Sequence, residues 1–144
     1  KNKIYSKNSK NKLYITPSKV ASNFYNYNVF SRDMLDQKDY LNNIKNSRLM
    51  LIPGHKAELF CLAAEEAREL CIPIVTLGIG SLSERVDHNI TGLIAKDKSQ
   101  FAEYTIKLFE NDELWNKIRS NLFKKRGTSS WSLSAQEFLM ELKN

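Results

Sequence analysis

Residues 48–80 read RLMLIPGHKAELFCLAAEEARELCIPIVTLGIG, and the order of patterns in this stretch decides the fold. Arg48-Leu49-Met50-Leu51-Ile52 is an apolar run stopped by Pro53-Gly54, which suits a strand buried on both faces. From Glu58 to Cys71 the composition turns rich in Ala, Leu and Glu and predicts a helix. Ile72-Pro73-Ile74-Val75 then reads as a second buried strand, entering the glycine loop Gly78-Ile79-Gly80. Strand, helix and strand in succession predict parallel pairing, with ligands beyond the carboxyl ends of the strands.

Outward from this unit the alternation continues. Gly92-Leu93-Ile94-Ala95 is a further strand. Helices are expected at 99–109, with Phe101, Thr105, Leu108 and Phe109 on one face, and at 112–123, with Trp115, Ile118 and Leu122. Ser134-x-x-Glu137 reads as a capping box opening a last helix. Upstream, Leu13-Tyr14-Ile15 and Asn28-Val29-Phe30 are short β-favouring runs, and Tyr40, Leu41 and Ile44 predict a helix over 36–46. The fold class is α/β: a Rossmann-like, doubly wound parallel sheet.

The chain has 144 residues, 42% of them hydrophobic, enough for one sizeable core. Its longest apolar runs fall far short of the roughly 20 residues that a membrane span needs. Charge is unevenly placed: Lys1 to Arg32 carries six Lys, one Arg and no acid, while the remainder has 15 basic and 16 acidic residues. Interleaved with Asn and Ser and without an aromatic-basic repeat, these cations read as a solvated segment rather than a nucleic-acid-binding arm. Residues 1–12 read as a basic polar tail, 13–127 as the main domain and 128–144 as a terminal helix. The two cysteines, Cys61 and Cys71, fall within one expected helix about 15 Å apart, too far for a disulfide, and no metal-ligand spacing accompanies them. Two buried free thiols and a reducing cytoplasm are the expectation.

Glu58, Leu59 and Phe60 are placed near a helix N-terminus that follows a buried strand, where free N–H groups and the helix dipole favour a phosphate and where Lys56 or His55 adds charge. On a helical wheel Leu59, Leu62, Ala63, Glu66 and Leu70 fall within about 80°, so Glu66 interrupts an apolar stripe. A carboxylate there needs a hydrogen-bonding partner, and a ligand's hydroxyl pair supplies one. Glu65 and Glu69 read as solvated.

Glu58-Leu59-Phe60-Cys61-Leu62, with Glu66-Ala67 and Ile72-Pro73-Ile74-Val75, resembles the E-G-F-G-L-x-x-x-E-A … G-x-P-V-V signature of the retaining, nucleotide-sugar-dependent glycosyltransferases of family 4. The stretch from Gly78 to Val86 is similar to that family's G-G-x-x-E-x-V loop, and Thr91-Gly92-Leu93-Ile94 to its T-G-L-L-V strand. Ser129-Ser130-Trp131-Ser132 followed by Phe138-Leu139 is similar to the family's aromatic-then-helix ending, so the resemblance covers about residues 28–142. It implies the C-terminal, donor-binding half of a GT-B fold and transfer of a hexose from a nucleotide sugar, with no cofactor or metal. Glu58 would be the catalytic carboxylate, orienting the donor sugar through its hydroxyls. Amides of Leu59, Phe60 and Cys61 would face the sugar and diphosphate, with Lys56 beside them. Glu66 would accept hydrogen bonds from the ribose hydroxyls, and Gly80 and Ser81 would complete the donor site.

The glycines that flank the family's Phe are Leu59 and Cys61 here. The family's G-R-x-x-x-x-K-G basic pair for the diphosphate has only a loose echo in Arg32 and Lys38. The chain therefore reads as a fragment whose acceptor-binding domain lies elsewhere, inactive alone, working in glycan or cell-envelope polysaccharide synthesis, cytoplasmic with a peripheral membrane contact. Two other classes compete with this reading. A dinucleotide oxidoreductase would need a third glycine where Ser83 stands. A non-catalytic nucleotide-binding or interaction module would keep this fold and lose the chemistry.

Overall fold

The computed structural model describes residues 12–15, 29–31, 34–128 and 130–142. The expected basic tail over 1–12 lies outside them except for Lys12, as do Asn28, Arg32 and Ser129. The chain divides into two compact units, Lys1–Ile44 and Lys45–Asn144, with the boundary inside the expected 13–127 domain.

In the first unit β1 (Leu13–Ile15) pairs in parallel with β2 (Val29–Ser31), Tyr14 opposite Phe30. Those two rings lie 5.7 Å apart and reinforce the register. Helix α1 (Gln37–Ile44) opens where the Asp36 carboxylate accepts the Asp39 N–H at 2.8 Å, and it buries Ile44.

The second unit holds a three-stranded parallel sheet of β3 (Met50–Gly54), β4 (Ile74–Ile79) and β5 (Gly92–Ile94), in that order. Interleaved are α2 (Leu62–Glu69) and α3 (Leu82–Arg85), and α4 (Lys98–Glu110), α5 (Asp112–Lys125) and α6 (Trp131–Glu141) follow. This is the Rossmann-like α/β arrangement that the strand–helix–strand pattern predicts. β4 is central and its first three residues, Ile74, Val75 and Thr76, are buried. Val75 joins Cys71, Leu93, Leu108, Ile118 and Leu122 in the core, with Phe101, Tyr104 and Trp115 packed against it. The register between β3 and β4 shifts around Pro53, whose missing N–H cannot serve a ladder. Asp97 and Asn111 cap α4 and α5 by accepting the amides of Gln100 and Leu114, each at 2.8 Å.

Several expectations are corrected. Helix α2 begins at Leu62 rather than Glu58, because the Glu58 carbonyl that would accept the Leu62 N–H accepts the Ser81 N–H instead, at 3.0 Å. It ends earlier too: Cys71 N–H bonds to Arg68 O and Ile72 N–H to Ala67 O, a Schellman motif with Cys71 left-handed at φ 56. The two cysteines thus flank α2, both buried and free. The face of α2 that is buried carries Ala64 and Ala67, not the Leu59–Leu70 stripe; small side chains let the helix approach, while Leu62 is 70% exposed. The last helix starts at Trp131, capped by Ser130, whose hydroxyl accepts the Leu133 N–H at 3.1 Å; Ser134 lies inside it.

Candidate functional site

Because β3 and β4 are parallel neighbours, their carboxyl ends deliver two loops to the same edge of the sheet. The first is a tight turn: Glu58 N–H donates to His55 O at 3.0 Å, and Ala57 N–H donates to His55 Nδ1 at 3.1 Å. The second begins at Gly80: of the expected glycine loop, Gly78 and Ile79 belong to the end of β4, where the Gly78 N–H donates to Thr76 Oγ1 at 3.0 Å. Gly80, at φ +66, sits directly on the first turn. A Cβ there would collide with the His55 carbonyl and lie 2.9 Å from the Glu58 carbonyl oxygen. The glycine is required by backbone touching backbone.

Glu58 is half-buried, and its Oε1 accepts the Cys61 N–H at 3.0 Å. Cys61 is the residue before α2, left-handed at φ 60 and 5% exposed. Burial pushes its thiol above the ordinary range, and the neighbouring Glu58 and Glu65 carboxylates add to the rise. The free amide at the start of α2 thus already holds an anion, the chain's own carboxylate.

The structure brings Glu58, Gly80, Ser81 and the Cys61 amide together. Ser81 is 6% exposed, and its hydroxyl has no hydrogen-bond partner among the described residues. Lys56 is exposed on the same turn, and Leu59 and Phe60 stand out from it, Leu59 at 90% exposure. Glu66 is half-buried one turn along α2 from Leu62, and its carboxylate makes no hydrogen bond or ion pair among the described residues.

Glu65 and Glu69, expected to be solvated, are engaged. Glu65 pairs with Arg68 at 2.6 Å and Arg85 at 3.5 Å, and Glu69 with Arg68 at 3.2 Å while accepting the Gly127 N–H at 2.9 Å. Sequence reasoning assigned Arg85 no role. Its Nε donates to Phe60 O at 3.2 Å, and its guanidinium lies 4.1 Å from the centre of the Phe60 ring. The Glu65–Arg68 spacing of opposite charges was a readable signal for the ion pair; Arg85 gave none, since its partners are 20 and 25 residues away.

Residues 25–125 match the family model of the glycosyl transferases group 1. The chain belongs to that family. The match spans most of the sequence and includes both loops and every site residue named above, from Lys56 to Ser81. Group 1 membership carries glycosyl transfer as the class of function, and the parallel α/β architecture agrees with it. No curated protein matches the chain. No helix among the described residues is long and apolar enough to cross a membrane.

Proposed function

We propose that this group 1 chain is the donor-binding half of a retaining family 4 glycosyltransferase with GT-B architecture, which takes a nucleotide sugar and works with a separate acceptor-binding domain in glycan or cell-envelope polysaccharide synthesis. The observation that carries the reading is the Glu58 carboxylate on the Cys61 amide at the carboxyl edge of a parallel sheet. An amide that draws in a carboxylate also serves a diphosphate. When the donor's diphosphate takes that position, Glu58 is released to grip a pair of sugar hydroxyls, a geometry a carboxylate fits well. The fixed amides then stabilise the charge that grows on the leaving diphosphate. Lys56 adds a positive charge from the solvent side, and the Ser81 hydroxyl, unpartnered among the described residues, supplies a hydrogen bond. Glu66 accepts from the ribose hydroxyls. A cytoplasmic location and a peripheral membrane contact belong to the same reading.

Titration calorimetry with UDP, GDP and ADP tests this. At least one should bind, and Glu66→Ala should weaken it by about 1–3 kcal/mol, the usual cost of a lost charged hydrogen bond. Equal binding by wild type and variant would remove Glu66 from the site. A second reading has an observation of its own: Leu59 and Cys61 place side chains where the resembled signature has glycine, which fits a module that binds a nucleotide without transferring sugar. The two part company when the acceptor domain is supplied, since only the first then gives transfer.

A further inference from the structure

Hydrogen bonds hold the turn as far as Glu58, but the two residues after it have little burial to fix them. Phe60 is 46% exposed and Leu59 is 90% exposed, so burial does not pin the stretch between Glu58 and Cys61. Cys61 nevertheless keeps a left-handed backbone that a residue with a Cβ adopts at a cost. What crosses this stretch is Arg85, from the last residue of α3. Its Nε donates to the Phe60 carbonyl, its plane covers the Phe60 ring, and its NH1 reaches Glu65 inside α2. One guanidinium therefore ties together the turn, the helix after it and the helix that follows the glycine loop.

We propose that Arg85 is a positioning residue for donor binding: it clamps the Phe60 peptide so that the Cys61 N–H stays aimed where a diphosphate can replace the Glu58 carboxylate. The inference rests on the donor-binding reading above and adds to it a residue that touches no donor. The clamp needs the planar fork. Lysine keeps the charge beside Glu65 but has no Nε–H at the same reach and cannot cover a ring face in the same way. A lysine at this position therefore fails as a clamp while succeeding as an ion-pair partner.

The experiment compares wild type, Arg85→Lys and Arg85→Ala in two measurements. Amide hydrogen exchange read at Glu58 and Cys61, the hydrogen-bonded amides of the turn, should accelerate at least tenfold in both variants, with exchange in β4 and α5 unchanged. Calorimetric affinity for whichever of UDP, GDP and ADP binds the wild type should fall at least fivefold in both. Exchange at those amides that stays at the wild-type rate overturns the clamp. Faster exchange with undiminished affinity overturns its role toward the donor, and so does full rescue of affinity by lysine. If the wild type binds none of the three nucleotides, it is the donor reading that fails, and the exchange result still decides whether Arg85 holds the turn.

Discussion

At Cys61 a backbone cost opposes a gain from burial. The left-handed backbone, φ 60, penalises any residue with a Cβ by about 1–2 kcal/mol, whereas the 5% exposure of its side chain represents apolar surface withdrawn from water. Cys61→Ala and Cys61→Gly lose the same sulfur but differ in backbone freedom. Glycine should therefore be the more stable replacement by about 1 kcal/mol, read as the difference in urea midpoints. The thiol also sets a pH dependence. Its folded-state pKa is raised, so the native state holds the proton more tightly than the unfolded chain. The stability this provides is complete below the ordinary thiol pKa of about 8.5 and is lost as the pH climbs through the folded value. Denaturation midpoints of the wild type should thus drop more steeply above that pH than those of Cys61→Ala. A parallel decline in the two proteins would contradict the assignment to Cys61.

Helix α2 shows which elements can be read from sequence and which cannot. The strands around it were legible from the apolar runs Met50 to Ile52 and Ile74-Val75, but their ends were not: β3 continues through Pro53-Gly54, and β4 starts at Ile74 rather than Ile72 and continues through Gly78-Ile79. That a glycine turn follows β4 was legible from composition as well, although only Gly80 of the expected loop lies beyond the strand. The start of α2 did not, since the Glu58 carbonyl is withdrawn from the helix by the Ser81 amide, 23 residues downstream, which no local pattern encodes. Its buried face misled for a related reason: Leu59 and Leu62 outrank Ala64 and Ala67 in hydrophobicity, yet the alanines occupy the closely packed side. Glycine substitutions separate the forces at the loop. Gly127 has φ +67 with open space around it, so Gly127→Ala should cost about 1 kcal/mol from backbone strain alone. Gly80→Ala carries the same strain and also meets the His55 and Glu58 carbonyls. It should cost clearly more, about 2–4 kcal/mol as strain and overpacking add, and it should abolish nucleotide binding. Equal destabilisation would mean that the two loops part easily.

Across the whole molecule the apolar surface is unevenly finished. The core beneath β4 is closed, but α6 leaves Phe138, Leu139, Met140 and Leu142 between 55% and 67% exposed. Phe138, Leu139 and Leu142 lie within about 100° of one another on the wheel, a contiguous patch of the kind that favours association. Sedimentation velocity should show concentration-dependent self-association, and Phe138→Ser with Leu142→Ser should reduce it. The placing of the two cysteines has a further use. One sits immediately before α2 and the other immediately after it, both free and both buried. The chain therefore carries a natural stopwatch at each end of one helix. Under native conditions an alkylating reagent can reach either sulfur only during an opening event. Mass spectrometry of pulse-labelled protein would time the two openings separately: matching rates mean that α2 is lost only when the whole unit unfolds, while faster labelling of Cys61 means that the Glu58 turn breathes independently of the sheet below it.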